Sequence, residues 1–211
     1  MTNIVKFGTK VLVASALMSS AVLAEGTFVG VEGAFVQSKV NLDSDANEFF
    51  SNPKDGAFEF GFKAGQDFGD YRLWAGYFYR TKASEKYSFS GPGGYVNAEI
   101  NWKSHNFVVG ADYTPSITEN FKALLGAYTG LAITKSEIKG DASLASGYEF
   151  SDSGSETDAG ALIGLRLGGI YLIDQSNELE FGVKTDYTKT GIDGADDATS
   201  YGVYVGYNYK F

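Results

Sequence analysis

The sequence predicts an all-β protein, an eight-stranded antiparallel up-and-down transmembrane β-barrel. Three observations support this fold class. The 211 residues include 27 Gly, 14 Tyr and 16 Phe but only 3 Pro. Apolar and polar side chains alternate with period two, and long connections alternate with short ones. Glycine and aromatic residues with so little proline favour strands over a helical bundle.

The first 24 residues have the composition of an export signal. Two lysines precede a mostly apolar run over 11–24, and Val22 and Ala24 occupy the −3 and −1 positions of a small-residue cleavage site. The run is shorter than the roughly 20 apolar residues of a spanning helix. The sequence therefore predicts a signal peptide at 1–24 and an outer-membrane β-barrel domain at 25–211. A first helix that is amphipathic or buried is the alternative.

Eight segments of the remaining chain alternate in the way that strands require, because successive side chains of a strand point to opposite faces. One parity of these segments comprises 43 positions without a charge, and the other comprises 38 positions with twelve Gly and twelve charges. The first parity is the predicted lipid-facing surface, and the second is the predicted interior. The predicted strands are 27–35, 57–64, 71–80, 106–113, 121–133, 159–171, 179–187 and 201–211.

The interior parity carries charges of both signs, which we predict to form a lumen charge network. Two interpretations are open: ion pairs that fill a narrow barrel, or the charged lining of a pore. Eight strands favour the filled barrel, because wide aqueous channels occur at about 16 strands. The pairs are expected among Glu59, Lys63, Arg72, Arg166, Glu180 and Lys184. The whole predicted network is Glu32, Glu59, Lys63, Arg72, Arg80, Asp112, Lys122, Arg166, Glu180, Lys184 and Asp186.

A soluble sandwich or lipocalin-like barrel would alternate in the same way. Aromatic residues at the strand ends instead indicate two membrane interfaces, as Tyr71 with Tyr79 and Phe107 with Tyr113 illustrate. With the N-terminus on the periplasmic side, the long connections face outward. The long connections are 36–56, 81–105, 134–158 and 188–200, and the short ones are 65–70, 114–120 and 172–178.

The last eight residues, Tyr204–Phe211, carry the most specific local pattern. Gly206 is followed by Tyr209 and by a terminal Phe211. With this ending and the alternating strands, the mature chain resembles the small eight-stranded outer-membrane barrels of Gram-negative bacteria, the opacity-protein and OmpA-type group. The resemblance implies that Gly206, Tyr209 and Phe211 form an assembly signal for the barrel-assembly machinery. Tyr204 departs from the family, which usually has a polar residue there.

Few residues offer enzyme chemistry. The chain has no Cys and one His, His105, and the Ser two residues after the histidine that marks lipid A deacylases is replaced by Phe107. Asp43–Asn47 opens like a calcium loop, but Glu48 replaces the required Gly and Lys54 the final Glu. Loose divalent-ion binding by acidic loops with Asp193, Asp196 and Asp197 stays open. We expect no enzyme, catalytic site, cofactor or specific metal site.

Function is therefore expected at the cell surface. The chain carries a net charge of −9, which argues against nucleic acid as a partner. The expected role is structural and interactive, with outer-membrane lipid, lipopolysaccharide and a surface ligand of the four outer loops as partners. A narrow porin-like channel is the alternative, and a lipid A-modifying enzyme is a weaker one. Six loop aromatics could hold a partner or extend the strands: Phe49, Phe50, Tyr87, Phe89, Tyr148 and Phe150.

Overall fold

The computed structural model describes residues 26–42, 54–91, 94–144, 149–189 and 195–211. Among them, none belongs to a helix long and apolar enough to cross a membrane. The predicted signal peptide and the Asp43–Asn47 segment lie outside these residues. The described chain forms nine strands: β1 Thr27–Leu42, β2 Lys54–Asp67, β3 Tyr71–Gly91, β4 Gly94–Tyr113, β5 Ser116–Thr118, β6 Phe121–Leu144, β7 Glu149–Leu172, β8 Asn177–Lys189 and β9 Ala195–Lys210.

Eight of these strands close into an antiparallel ring. Except for β4 and β5, strands that are neighbours in sequence pair with one another. The ring closes because β1 pairs with β9 and β4 pairs directly with β6. The β5 strand pairs with the start of β6 to form a small hairpin. It lies inside the predicted short connection 114–120. The predicted up-and-down barrel of eight strands is confirmed.

The outer surface of the ring is apolar, as the alternation predicts. Val31, Phe60 and Leu165 each expose more than half of their surface. Apolar surface in water is unfavourable by about 25 cal/mol per Å². A continuous belt of such side chains is stable only in the hydrocarbon core of a membrane. Closure of the ring leaves no unpaired strand edge within this belt, as the hydrocarbon core requires.

Four strands run well beyond the length that a bilayer needs. About 9–11 residues cross the hydrocarbon core, whereas β3 and β4 have 21 and 20 residues and β6 and β7 have 24 each. Most of the predicted loops 81–105 and 134–158 is therefore paired strand, which corrects the sequence prediction. The periodicity fails there because both faces of an extension above the membrane meet water. We call residues 81–91, 94–103, 135–144 and 149–157 the outer sheet.

Glycines bring neighbouring strands close and leave room for large inward side chains. Gly182 faces Gly168 across β7 and β8, and a Cβ at Gly182 would overlap the Leu167 carbonyl oxygen. A Cβ at Gly126 would overlap the carboxylate of Asp112. The space that these residues leave is filled by the charged side chains of the lumen.

Candidate functional site in the barrel lumen

The structure places ten of the eleven predicted network charges in the buried interior. Lys122 is the exception, since it is half-buried at the periplasmic end, with its Nζ 3.9 Å from Asp67 Oδ2. Strand alternation accounts for this placement, because all of these charges lie on the inward parity of their strands. The ten buried residues are Glu32, Glu59, Lys63, Arg72, Arg80, Asp112, Arg166, Glu180, Lys184 and Asp186.

Arg166 holds the centre of the lumen. Its Nε and Nη2 donate to the two carboxylate oxygens of Asp112 at 3.0 and 2.8 Å. Its Nη2 also lies 2.8 Å from Glu180 Oε1. The guanidinium carbon is 4.8 Å from the ring centroid of Trp74. This bidentate and stacked geometry suits arginine and would not be reproduced by lysine.

Two buried lysines continue the network toward the outside. Lys63 Nζ lies 2.8 Å from Glu180 and 3.4 Å from Glu32. Lys184 Nζ lies 2.7 Å from Glu32 and also donates to Glu59. Acids and bases therefore alternate along one connected chain, in which each ammonium group meets two carboxylates.

Arg80 ends this chain on the outer side. Its Nη2 lies 2.7 Å from Glu59 Oε2 and 2.8 Å from Asp186 Oδ2, and its Nη1 donates to Ser200 Oγ at 2.6 Å. The Tyr128 hydroxyl approaches Asp186 Oδ2 at 3.5 Å. The guanidinium thus joins β2, β3, β8 and β9 across the barrel.

A second cluster occupies the periplasmic end of the lumen. Arg72 Nη2 lies 2.8 Å from both Asp67 Oδ2 and Glu178 Oε1. Lys210 Nζ lies 2.9 Å from the same Asp67 oxygen. Sequence reasoning missed Asp67 and Glu178, because the predicted strands stop at residue 64 and start at residue 179. Both residues keep the inward parity, so extending the alternation by one or two inward positions would have found them.

Opposite charges balance over the two clusters. With Asp67, Glu178 and Lys210 included, seven acids face seven bases among the described residues. All fourteen lie within 4.0 Å of an opposite charge. Buried charges are tolerated when they are paired and hydrogen-bonded, and an unpaired one is strongly unfavourable. The two clusters together are therefore electroneutral.

Aromatic side chains take up most of the remaining space. Trp74, Phe78 and Tyr128 pack with Leu162 beside the central cluster. In the outer half, Trp102 packs with Tyr204 and donates to Ser38 Oγ at 3.2 Å. The cavity left beside Arg80 and Lys184 has a volume of about 20 Å³. That volume holds about one water molecule.

His105 lies on the outward face at the outer end of the membrane belt. Its Nδ1 is 2.8 Å from the Tyr77 hydroxyl oxygen, and its ring centroid is 5.0 Å from that of Tyr79. Ser104 points to the opposite face and is buried in the lumen. The structure therefore does not bring Ser104 and His105 together.

Acidic residues of the described chain form no metal cluster. No group of three or more His, Cys, Asp or Glu side chains with metal-binding geometry occurs in the described ranges. Asp197 instead accepts hydrogen bonds from Asn41 and from the Tyr187 hydroxyl. Asp193 lies outside the described residues, as does the side chain of Asp196.

The C-terminal residues close the seam between β1 and β9. The Phe211 amide donates to the Thr27 carbonyl at 2.9 Å, and the Tyr209 and Phe211 rings pack edge to face at 5.1 Å on the outward side. Gly206 lies opposite Glu32, and Tyr204 points into the lumen over Arg166. The role of Gly206, Tyr209 and Phe211 as an assembly signal stays a prediction.

Comparison with known proteins identifies the fold. No protein-family model matches the sequence, and no curated protein matches it either. Among solved structures, the chain is similar to Neisserial surface protein A (NspA), with 18% identity over 88% of this chain and 97% of that one and a TM-score of 0.59. It is also similar to Ail, the attachment invasion locus protein of Yersinia pestis, with 15% identity over 88% and 100% and a TM-score of 0.53. The chain thus has the fold of small eight-stranded outer-membrane barrels, in agreement with the predicted outer-membrane location.

Proposed function

We propose that this protein is a closed outer-membrane barrel with a structural and surface-interaction role, and that it is neither a channel nor an enzyme. The observation that carries the proposal is the ion-paired lumen. A filled interior leaves the outer surface as the part of the molecule available to other molecules. The proposed partners are outer-membrane lipid, lipopolysaccharide and a ligand of the outer sheet, with the barrel-assembly machinery acting during insertion.

The lumen geometry supports a closed barrel on energetic grounds. A solute would have to displace Arg80, Arg166 or Lys184 from two carboxylate partners each. Breaking one buried pair of this kind is unfavourable by about 3–5 kcal/mol. The adjacent cavity, at about 20 Å³, holds about one water molecule.

The outer sheet supports a role in surface contacts. From residue 134 to residue 144, β6 runs for 11 residues beyond the predicted strand, which corresponds to a height of roughly 28 Å at a strand tilt of about 40°. Tyr95 and Phe150 are exposed on this sheet. Exposed aromatic residues are common anchors in protein interfaces.

The surroundings of His105 support a non-enzymatic reading. Its Nδ1 is engaged with Tyr77, and the rings of Tyr77 and Tyr79 flank it on the outward face. A hydrolytic triad needs a nucleophile and an acid in hydrogen-bond reach of the histidine. Ser104, the adjacent hydroxyl, points into the lumen.

Single-channel recording in a planar bilayer tests the proposal. The folded protein, verified by its heat-dependent gel shift, is expected to give no current steps. Reproducible steps would refute the closed barrel if their ion selectivity changed in the variant Lys184→Gln/Glu59→Gln. This variant removes one positive and one negative charge from the lumen, and with them the Lys184 contacts to Glu32 and Glu59 and the Arg80 contact to Glu59. It therefore separates a lumen current from leakage around the protein.

A further inference from the structure

The basic residues of the chain after position 24 divide into two sets. Seven line the lumen and its periplasmic mouth, and the other eight are all lysines. Every one of these eight lies at the outer end of the barrel, on the outward parity of its strand. They are Lys39, Lys54, Lys82, Lys86, Lys103, Lys135, Lys139 and Lys189.

Six of these lysines follow one rule. In β1, β2, β3, β4, β6 and β8, the first charged outward residue above the apolar belt is a lysine. In β6, for example, Lys135 is the next outward residue after Ile133, and in β8 Lys189 follows Tyr187. We call these six residues the lysine ring: Lys39, Lys54, Lys82, Lys103, Lys135 and Lys189.

Pairing across strands brings two pairs of like charges in the ring together, whereas Lys189 lies directly opposite Asp197. Lys103 lies directly opposite Lys135 in the β4–β6 pair, and Lys39 lies directly opposite Lys54 in the β1–β2 pair. Such neighbours have Cβ atoms about 4.5–5.5 Å apart, and like charges there are destabilising. Lys135 has an ion pair with Glu137 at 2.7 Å, but Lys103 has no acid within 4.0 Å among the described residues. An anion outside the protein would relieve this repulsion.

The periplasmic end of the barrel has the opposite character. Its turns carry Asp70, Glu119 and Asp174, and no lysine of the described chain faces outward there. The ring therefore does not reflect composition, because the chain is acidic overall. In the described chain, outward-facing basic charge is confined to the outer end of the barrel, beyond Tyr79 and His105 on their strands.

We infer that the lysine ring binds the phosphate groups of glycolipids in the outer leaflet. The inference rests on the proposed function, since it requires the barrel to span an outer membrane with the outer sheet outside. Ammonium groups act as point charges toward phosphate, and at a membrane surface each contributes about 1 kcal/mol of attraction. Lys103 and Lys135 form a site of unbalanced charge, because they lie directly opposite each other and share the single acid Glu137, which contacts Lys135.

Binding of lipid A to the folded protein in phosphatidylcholine nanodiscs tests this inference. The probe is lipid A with two phosphates, and native mass spectrometry counts the bound molecules over a concentration series. In the variant Lys103→Gln/Lys135→Gln the apparent Kd is expected to rise about 30-fold. The matched control Lys86→Gln/Lys139→Gln removes the same charge roughly 13 Å farther along the strands. This distance exceeds the Debye length of about 8 Å, so the control should change Kd by less than about threefold.

Three results would overturn the inference: equal weakening in both variants, no weakening in either, or equal binding of a glycolipid without phosphates. Inorganic phosphate is the other source of the same chemistry. If millimolar phosphate displaced lipid A fully, the ring would be a site for free anions rather than for lipid headgroups. Failure of the wild-type protein to insert, seen as a missing heat-dependent gel shift, would instead refute the proposed function.

Discussion

Replacing Arg166 by methionine tests whether the buried network carries the stability of the barrel. The guanidinium has Asp112 at 2.8 Å, Glu180 at 2.8 Å and Glu32 at 3.6 Å. Its loss leaves Asp112 without the only two hydrogen bonds that its carboxylate receives from described side chains. Breaking a buried pair is unfavourable by about 3–5 kcal/mol. We expect the free energy of unfolding to fall by about 4 kcal/mol.

A double-mutant cycle separates pairing from packing. The variant Arg166→Met/Asp112→Asn should be more stable than the sum of the two single changes by about 2 kcal/mol, because it removes the uncompensated charge. Urea unfolding in phospholipid vesicles is followed by the fluorescence of the two tryptophans, Trp74 and Trp102, and the Trp74 ring lies 4.8 Å from the guanidinium. Lys82→Met, at an exposed ion pair, is the control and should change stability by less than about 1 kcal/mol. If Arg166→Met lowered the free energy of unfolding by less than about 1 kcal/mol and the double-mutant cycle showed no coupling with Asp112, the lumen charges would be hydrated. That result would refute the reasoning.

Other substitutions test the two faces of the wall and one turn. Val183→Arg, on the lipid side, should lower the unfolding free energy by about 2–4 kcal/mol in vesicles; wild-type stability would contradict the assigned faces. Gly182→Ala should also destabilise the barrel, because its Cβ meets the β7 backbone, whereas Gly33→Ala, with open space around it, should unfold like wild type. Hydrogen bonds from the Ser176 and Asn177 amides lower the pKa of Asp174, so this turn loses stability as the pH falls through that lowered pKa. A carboxyl NMR titration should place the Asp174 pKa below about 3.9. A higher value would contradict the hydrogen bonds that the Asp174 carboxylate accepts in this turn.

The sequence was sufficient to predict the barrel wall because lipid imposes a strict rule. A side chain such as Val183 must be apolar, and its neighbour Lys184 must point inward, so strand identity and face follow from parity alone. The rule weakens where lipid ends. The predicted loops 81–105 and 134–158 proved to be mainly strands, because an extension in water can be polar on both faces.

Pairing inside the lumen was only partly predictable. The sequence indicated which charges point inward, and the Lys63–Glu180 contact joins two residues from the predicted list of pairs. Arg80, however, was left out of that list and meets Glu59 and Asp186. Such contacts cross the barrel between strands that are distant in sequence, and strand tilt and stagger decide them. Neither quantity can be derived from alternation.

Exchange of the buried lysine ammonium protons with water tests the central claim, a dry and ion-paired lumen, most directly. Lys63 and Lys184 have side chains that are 0% and 6% exposed, against 75% for Lys86. In ¹⁵N-labelled folded protein at pH 7, the account predicts slowly exchanging ammonium signals for Lys63 and Lys184 and none for Lys86. If the signals of Lys63 and Lys184 were lost to exchange as fast as that of Lys86, water would fill the lumen and the closed, charge-filled barrel would be wrong.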